Sequence, residues 1–431
     1  MHFSSLIVAK FTLAIVLVLG LALTAPALAA RHSRAQARQN SDEEDGGEHV
    51  GRRGRKPAVN VDLSQIHVLG DRPAPFALDA HAAILIDARS NAVLYAYNEH
   101  QRMQPASLAK MMTFYIAMQA LAQKRITLDT QMPISETAWR LSLNSGVSRM
   151  FLQVGERVAV HDLLYGLMVS SGNDAAVVLA EYLAGSGDAF AQEMNKQATA
   201  IGLTETHFTN PDGLPTDDEY TTAADMAKLG RTIITTFPDA LTYTSAKEFT
   251  FDKIRQRNFN TLLFYDSRVN GIKTGHVEEA GYHLVASARA ENLQLVSAVM
   301  GTPSPEKRRV ETDKLLDWAF RTFTTVSPDW HKAAPTQLRV YKGDAEAVPI
   351  APAGEGTTYF TIGRGMERKV ELAATLPTKP LVAPIPKGTA VGQLTVTING
   401  KPESSTPLMT QDAVRSGNIF HNLADSIRLK L

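Results

Sequence analysis

Ser107-Leu108-Ala109-Lys110 sets a hydroxyl and an amine three residues apart, directly ahead of an apolar run. Residues i and i+3 share a helix face, so the Lys110 amine falls within reach of the Ser107 oxygen. A lysine removed from water gives up its proton more readily and can serve a serine as base. The pair predicts acyl transfer or acyl hydrolysis through a serine, with no histidine required. Spacing alone is a weak signal, because Ser304-Pro305-Glu306-Lys307 repeats it. Context separates the two. Met111, Met112, Phe114, Tyr115, Met118 and Leu121 follow Lys110 at the spacings of a largely buried helix, and Pro105 suits its start. Ser107 would then lie in the first turn, near the positive end of the helix dipole. The second candidate sits among Glu306, Lys307, Arg308 and Arg309 and reads as a solvated helix start.

Ser171-Gly172-Asn173 interrupts two apolar helical stretches, 161–169 and 175–183. A loop between buried helices projects short polar side chains into a cleft, where one could pass a proton to a leaving amine. Ser142-Leu143-Asn144 and Ser416-Gly417-Asn418 share the pattern but not the setting. The plain alternative is that Ser171 and Asn173 cap the second helix. Lys273-Thr274-Gly275 occurs once, at the end of a strand starting at Val269. Its cation and hydroxyl could hold a substrate carboxylate by charge-assisted hydrogen bonds, and Gly275 would leave room for a ligand along the strand edge. Of the 12 histidines, His161, His207, His276 and His283 show neither a His-x-x-x-His pair nor the carboxylate spacing of a zinc site. No metal and no cofactor is expected.

These groups need a scaffold. Residues 82–86 and 93–97 read as strands joined by Asp87-Ala88-Arg89-Ser90-Asn91, and a mainly helical block spans about 105 to 237. Residues 269–274, 282–288 and 293–300 read as a meander, closed by a helix over about 305–323 with Leu316, Phe320 and Phe323 on one side. The expected fold is α+β, a five-stranded antiparallel sheet flanked by helices, over residues 76–325. Short strands at 337–341, 358–362, 370–374 and 391–398, punctuated by Pro and Gly, predict a small C-terminal β-sandwich domain over 326–412. Residues 413–431 read as an amphipathic helix, with Ile419, Leu423, Ile427 and Leu431 every fourth place beside Phe420. That helix is a candidate for contact with a membrane surface.

Lys10, an apolar stretch over 11–23, Pro26 and Ala27-Leu28-Ala29 have the form of an export signal, so residues 1–30 are expected to be cleaved. Residues 31–75 carry Asp42-Glu43-Glu44-Asp45 and Arg52-Arg53-Gly54-Arg55-Lys56 with few apolar residues, which predicts a disordered linker. Lys+Arg and Asp+Glu both number 44, so no global charge argues for nucleic acid. The absence of cysteine excludes thiol catalysis, disulfides and cysteine-ligated zinc.

The three elements, in this order, resemble the motif set of class A β-lactamases and penicillin-binding proteins. The stretches 105–113, 148–181, Asn210-Pro211-Asp212-Gly213-Leu214-Pro215 and 271–288 resemble the low-molecular-mass D-alanyl-D-alanine carboxypeptidases, from about residue 76 to the C-terminus. The resemblance implies Ser107 as nucleophile, Lys110 as its base and Ser171 as proton relay to the departing D-alanine. Asn173 would hold the peptide amide, and Lys273 and Thr274 the terminal carboxylate region. The backbone N–H groups of Ser107 and His276 would form the oxyanion hole. Arg231 resembles a family arginine that recognises the substrate carboxylate. The same resemblance implies peptidoglycan stem peptides as substrate and β-lactam antibiotics as inhibitors; with the export signal, the chain is expected in the periplasm or on the outer face of a bacterial cytoplasmic membrane. Ala109 stands where many relatives carry threonine.

Three rivals share the residues. A β-lactamase would release its acyl group through a glutamate-activated water, but Gly172 replaces the aspartate of its middle motif and no counterpart of its glutamate segment is evident. A D,D-endopeptidase would differ only in pocket shape. A catalytically idle wall-binding protein would have no need of a buried amine.

Overall fold

A computed structural model describes residues 62–70, 72–354 and 359–418, together with positions 425, 426, 428 and 429. The first strands are β1 (His67–Val68), β2 (Ala82–Asp87) and β3 (Val93–Tyr97). A 3-10 turn (Ala106–Ala109) leads into α1 (Lys110–Ala122). The helical block continues through the hairpin partners β4 (Gln131–Pro133) and β5 (Arg157–Ala159), with α2 (Glu136–Leu143) between them. It then runs through α3 (Val160–Met168), α4 (Asn173–Ala184), α5 (Gly187–Ala200), α6 (Ala223–Thr236) and α7 (Ala240–Thr244). A hairpin of β6 (Glu248–Phe251) and β7 (Ile254–Arg257) and a short α8 (Leu262–Tyr265) lead to β8 (Val269–Val277), β9 (Gly281–Ala290) and β10 (Leu293–Thr302), then α9 (Pro305–Thr322).

The central sheet has the order β1-β3-β2-β10-β9-β8 and is antiparallel throughout. Side chains alternate across it. Ala82, Ile84, Ile86, Val285, Val296 and Ala298 pack with the helical block, whereas Ala83, Leu85, Ala286, Leu295 and Val299 pack with Leu315, Leu316 and Phe320 of α9. Both faces are covered, so β2 and β3 read as nearly continuous apolar runs and β9 and β10 as mainly apolar ones. The five expected strands are joined by β1, from the stretch expected as linker. Ile66 and Val68 are buried there and Ile66 precedes the pairing of His67–Val68 with β3. The second Ser-x-x-Lys is a helix cap: Ser304 Oγ accepts from the Lys307 N–H at 3.1 Å, and Lys307 Nζ reaches Asp79 at 3.2 Å.

The C-terminal β-rich part comprises β11 (Phe323–Val326), β12 (Gln337–Tyr341), β13 (Ala347–Pro352), β14 (Phe360–Gly363), β15 (Val370–Thr375), β16 (Leu381–Val382), β17 (Ala390–Ile398) and β18 (Lys401–Thr410). Six of these form one sheet, β15-β17-β18-β13-β12-β16, around a separate core that includes Val340, Val348, Ile350, Leu394 and Leu408. The remaining pair, β11 and β14, lies beside the end of β2. There the buried Asp87 accepts from Thr325 Oγ1 at 2.5 Å, Thr361 Oγ1 at 2.6 Å and the Arg89 N–H at 2.9 Å. The expected boundary at 325 falls inside β11. The export signal, most of the linker and the apolar positions of the terminal helix lie outside the described residues. Among the described residues, no helix is long and apolar enough to cross a membrane.

Candidate active site

Ala106 opens the 3-10 turn with a left-handed φ of 50°, a conformation that a non-glycine residue holds only when its surroundings enforce it. The sharp turn presents Ser107 to a groove while Leu108, Ala109 and Lys110 turn inward and are buried. Lys110 Nζ then lies 3.0 Å from Ser107 Oγ and 2.5 Å from the carbonyl oxygen of Asp212. Burial pulls the amine down from 10.5 to about 8, against the opposing pull of the carboxyl groups of Asp212, Glu219 and Asp174. About a tenth of it is then neutral at pH 7, some two orders of magnitude more than for an exposed lysine.

The Asp212 carbonyl is fixed by the loop around Asn210. Asn210 Oδ1 accepts from the Gly213 N–H at 2.6 Å, and its amide donates to Leu214 O at 2.9 Å. Thr113 Oγ1 of α1 donates to Pro211 O at 2.6 Å, so two backbone carbonyls clamp the loop to the serine helix. Gly213 has a φ of 74°, and a Cβ there would stand 1.9 Å from Ala106 O; no other residue allows this approach. Glu219, from the same loop, is 3% exposed. Burial pushes its carboxyl up to about 8 against the opposing pull of the Thr209 N–H, which keeps it mostly neutral and weakens its hold on the Lys110 proton.

Ser171 also has a left-handed φ, 56°, between α3 and α4. Asn173 begins α4, and its N–H donates to Ser148 O at 2.9 Å. The next residue organises this wall. Asp174 is fully buried and accepts from Ser142 Oγ at 2.7 Å and from the N–H groups of Met150, Leu152 and Ala175. Ser142, of the look-alike motif, thus holds the segment carrying Ser148 against the site.

The opposite wall is β8, an edge strand of the central sheet. Lys273 is buried and donates to Ser171 Oγ and to Thr274 O, each at 3.0 Å. A Cβ on Gly275 would lie 3.0 Å from Pro105 O and 3.2 Å from Leu108 Cγ. The room expected there for a ligand is filled by the serine turn itself, which glycine lets approach β8. His276 is exposed and stacks on Tyr282 with ring centroids 3.9 Å apart.

Ser107, Ser171, Asn173, Thr274, Gly275 and His276 all line one groove of about 160 Å³. Lys110 and Lys273 stand behind its two serines. Arg231 is not among the lining residues. Its Nε donates to Ala88 O at 2.8 Å, and its side chain opens on a different cleft. The arginine in the groove is Arg308 of α9, 5% exposed, donating to Phe259 O at 3.0 Å with its guanidinium 5.8 Å from the Tyr282 ring. The sequence does carry a signal for it. Arg308 shares the buried stripe of α9 with Thr312, Leu315, Leu316 and Ala319, and a cation on an apolar stripe is rarely decorative. Buried His283 accepts from the Gly301 N–H at Nδ1, 2.9 Å away, and burial lowers it to about 4, so it stays neutral and structural. Among the described residues, no group of three or more His, Asp or Glu side chains could hold a metal ion.

Comparison with known proteins identifies the family. Residues 70–304 match the family model described as D-alanyl-D-alanine carboxypeptidase, and residues 320–416 match that of the penicillin-binding protein 5 C-terminal domain. The chain is 39% identical to D-alanyl-D-alanine carboxypeptidase DacC of Escherichia coli, over 82% of this chain and 89% of that protein. Its fold is similar to the crystal structure of penicillin binding protein 5 from Haemophilus influenzae, with a TM-score of 0.72 at 39% identity, covering 80% of this chain and 99% of that one. Penicillin-binding protein D2 from Listeria monocytogenes, in its ampicillin-bound form, is similar over 57% of this chain and 99% of that one, with a TM-score of 0.52 at 28% identity. With two serines each backed by a lysine across one groove, and with relatives of this kind over most of its length, the chain belongs to the D-alanyl-D-alanine carboxypeptidase family.

Proposed function

We propose that the protein is a serine-type D-Ala-D-Ala carboxypeptidase that removes the terminal D-alanine from peptidoglycan stem pentapeptides. The observation that carries this reading is the fully buried Lys110 amine 3.0 Å from Ser107 Oγ. Neutral Lys110 takes the Ser107 proton as Oγ attacks the carbonyl carbon between the two D-alanines. The N–H groups of Ser107 and His276 receive the developing oxyanion. Ser171, 3.0 Å from Lys273, relays that proton from Lys110 to the departing amine, taking one as it gives one, and the C–N bond breaks to leave an acyl-enzyme on Ser107. Water then attacks the ester carbonyl, its proton passing through Lys110 to the Ser107 oxygen as the C–O bond breaks, which frees the shortened peptide acid and restores the serine. Lys273, Thr274 and Arg308 form the cationic, hydroxyl-bearing end that suits the terminal carboxylate.

β-Lactams would acylate the same serine, a reading supported by the ampicillin-bound form of the similar Listeria protein. The test is incubation of purified protein with a pentapeptide and, separately, with a fluorescent penicillin. Free D-alanine and a long-lived adduct are expected, and both should vanish in Ser107→Ala. Rapid turnover of the drug would instead mark a β-lactamase, and cleavage of cross-linked dimers with little free D-alanine an endopeptidase.

We propose further that the chain is exported, acting in the periplasm or at the outer face of the cytoplasmic membrane. Support comes from the apolar run over 11–23 and Ala27-Leu28-Ala29. N-terminal sequencing of the mature protein checks it, with a start near residue 31 expected. The repeat of Ile419, Leu423, Ile427 and Leu431 supports the terminal helix as a membrane-surface contact. Loss of membrane association on removing residues 413–431 is the expected outcome.

A further inference from the structure

Arg231 opens on a second cleft of about 340 Å³, bounded by the turn after β2, helix α6, the end of β9 and Tyr359. Two more arginines, Arg89 and Arg289, line the same cleft. Arg231 spends its Nε on Ala88 O, and Arg89 reaches Asn292 O at 3.3 Å while lying over the Tyr359 ring, 5.1 Å from its centroid. Among the described residues, none of the three guanidinium groups has a carboxylate within ion-pair distance. Two acids next to the arginines in sequence are already engaged: Asp87 with Thr325, Thr361 and the Arg89 N–H, and Glu291 with Arg364 at 3.1 Å. Among the described residues, no Asp or Glu lines the cleft.

Three like charges gathered on one cavity repel unless an anion joins them. A carboxylate would offset one of the three, whereas a phosphoryl group carries more charge and presents oxygens that suit forked guanidinium donors. Ile234 and Leu241 supply an apolar wall for the organic part of an ester. We propose that this cleft is a binding site for a phosphate ester, held by Arg89, Arg231 and Arg289 beneath the Tyr359 ring. The site is separate from the Ser107 groove, so the proposal does not rest on the serine chemistry.

Titration calorimetry of the full chain with glycerol 3-phosphate, alongside flotation with phosphatidylglycerol and phosphatidylcholine vesicles, tests it. Saturable binding of glycerol 3-phosphate, weakened at least tenfold in Arg289→Gln and again in Arg89→Gln, is expected. Arg289 makes no side-chain hydrogen bond that the fold depends on, and unchanged penicillin labelling would show that Arg289→Gln is folded. Arginine-dependent flotation with phosphatidylglycerol alone would identify a lipid headgroup as the source. Binding of the soluble ester without flotation would identify a free phosphate ester. Absence of both, equal binding by the variants, or equal binding of acetate would overturn the proposal.

Discussion

Lys110 Nζ touches Ser107 Oγ at 3.0 Å from a position with no exposure to solvent, so water cannot hydrate the charged form of this amine. Its protonation state therefore controls the nucleophile. With the amine lowered to about 8, only the neutral fraction can accept the serine proton. Acylation by a fluorescent penicillin should rise about tenfold per pH unit below 8 and level off above it. A rate that is flat from about pH 6 to about pH 9 would remove Lys110 as the base.

Arg308 predicts a binding defect. It is the buried arginine lining the groove, and a hydrogen bond to a charged group is worth about 1.5–3 kcal/mol. Arg308→Ala should lower kcat/KM for the pentapeptide roughly ten- to a hundredfold, mainly through KM, and Arg308→Lys should restore part of it. Steady-state kinetics with free D-alanine as readout decides, and an unchanged KM would count against carboxylate recognition by this side chain.

Gly213 links loop geometry to the nucleophile. Any Cβ there meets Ala106 O at 1.9 Å, on a backbone with positive φ. Gly213→Ala should cost about 2–5 kcal/mol, combining backbone strain with overpacking. It should also slow acylation, because the Asp212 carbonyl that holds Lys110 belongs to the displaced loop. Urea unfolding and penicillin labelling of the same preparation measure the two effects.

Glu219 sets a stability trend with pH. Its folded value of about 8 lies above its ordinary 4.5, so its contribution is complete below 4.5 and is lost as pH climbs through 8. Glu219→Gln keeps the shape of the neutral acid and removes that loss. The variant should match the parent near pH 4 and exceed it at pH 9 by on the order of a few kcal/mol in urea unfolding. A variant less stable than the parent at pH 9 would show that the carboxylate is accommodated after all.

Much of this site is legible in the chain because its chemistry is local. Ser107 and Lys110 are three residues apart on one helical face, and Ser171 and Asn173 sit at a break between two apolar helices. The sheet is legible because β2 and β3 are nearly continuous apolar runs and β9 and β10 are mainly apolar, all packed between two layers. What escapes depends on distant partners. Arg308 is masked by charged neighbours, and only its place on the same stripe as Thr312, Leu315, Leu316 and Ala319 signals that it is buried. Arg231 turns toward Ala88, a contact across 143 positions of chain that local spacing does not report. Strand β18 carries Pro402, Pro407, Ser404 and Ser405 in place of an apolar alternation, and it exists because β17 pairs with it. The turn between them was readable: Asn399 and Gly400, with φ of 53° and 74°, are a hairpin signal.

The hydroxyls that Thr325 and Thr361 lend to Asp87 make the two parts of the molecule poor candidates for dissection. A fragment stopping at 325 would keep a carboxylate sealed beneath the sheet and lose Thr361, and one reaching 363 would drag β12 and β13 along without β17 and β18 to sheathe them. The part carrying the serine machinery is thus sewn from the inside to its trailing β-structure, and a buried carboxylate of the central sheet takes one of its hydroxyl partners from polypeptide 274 positions downstream of it.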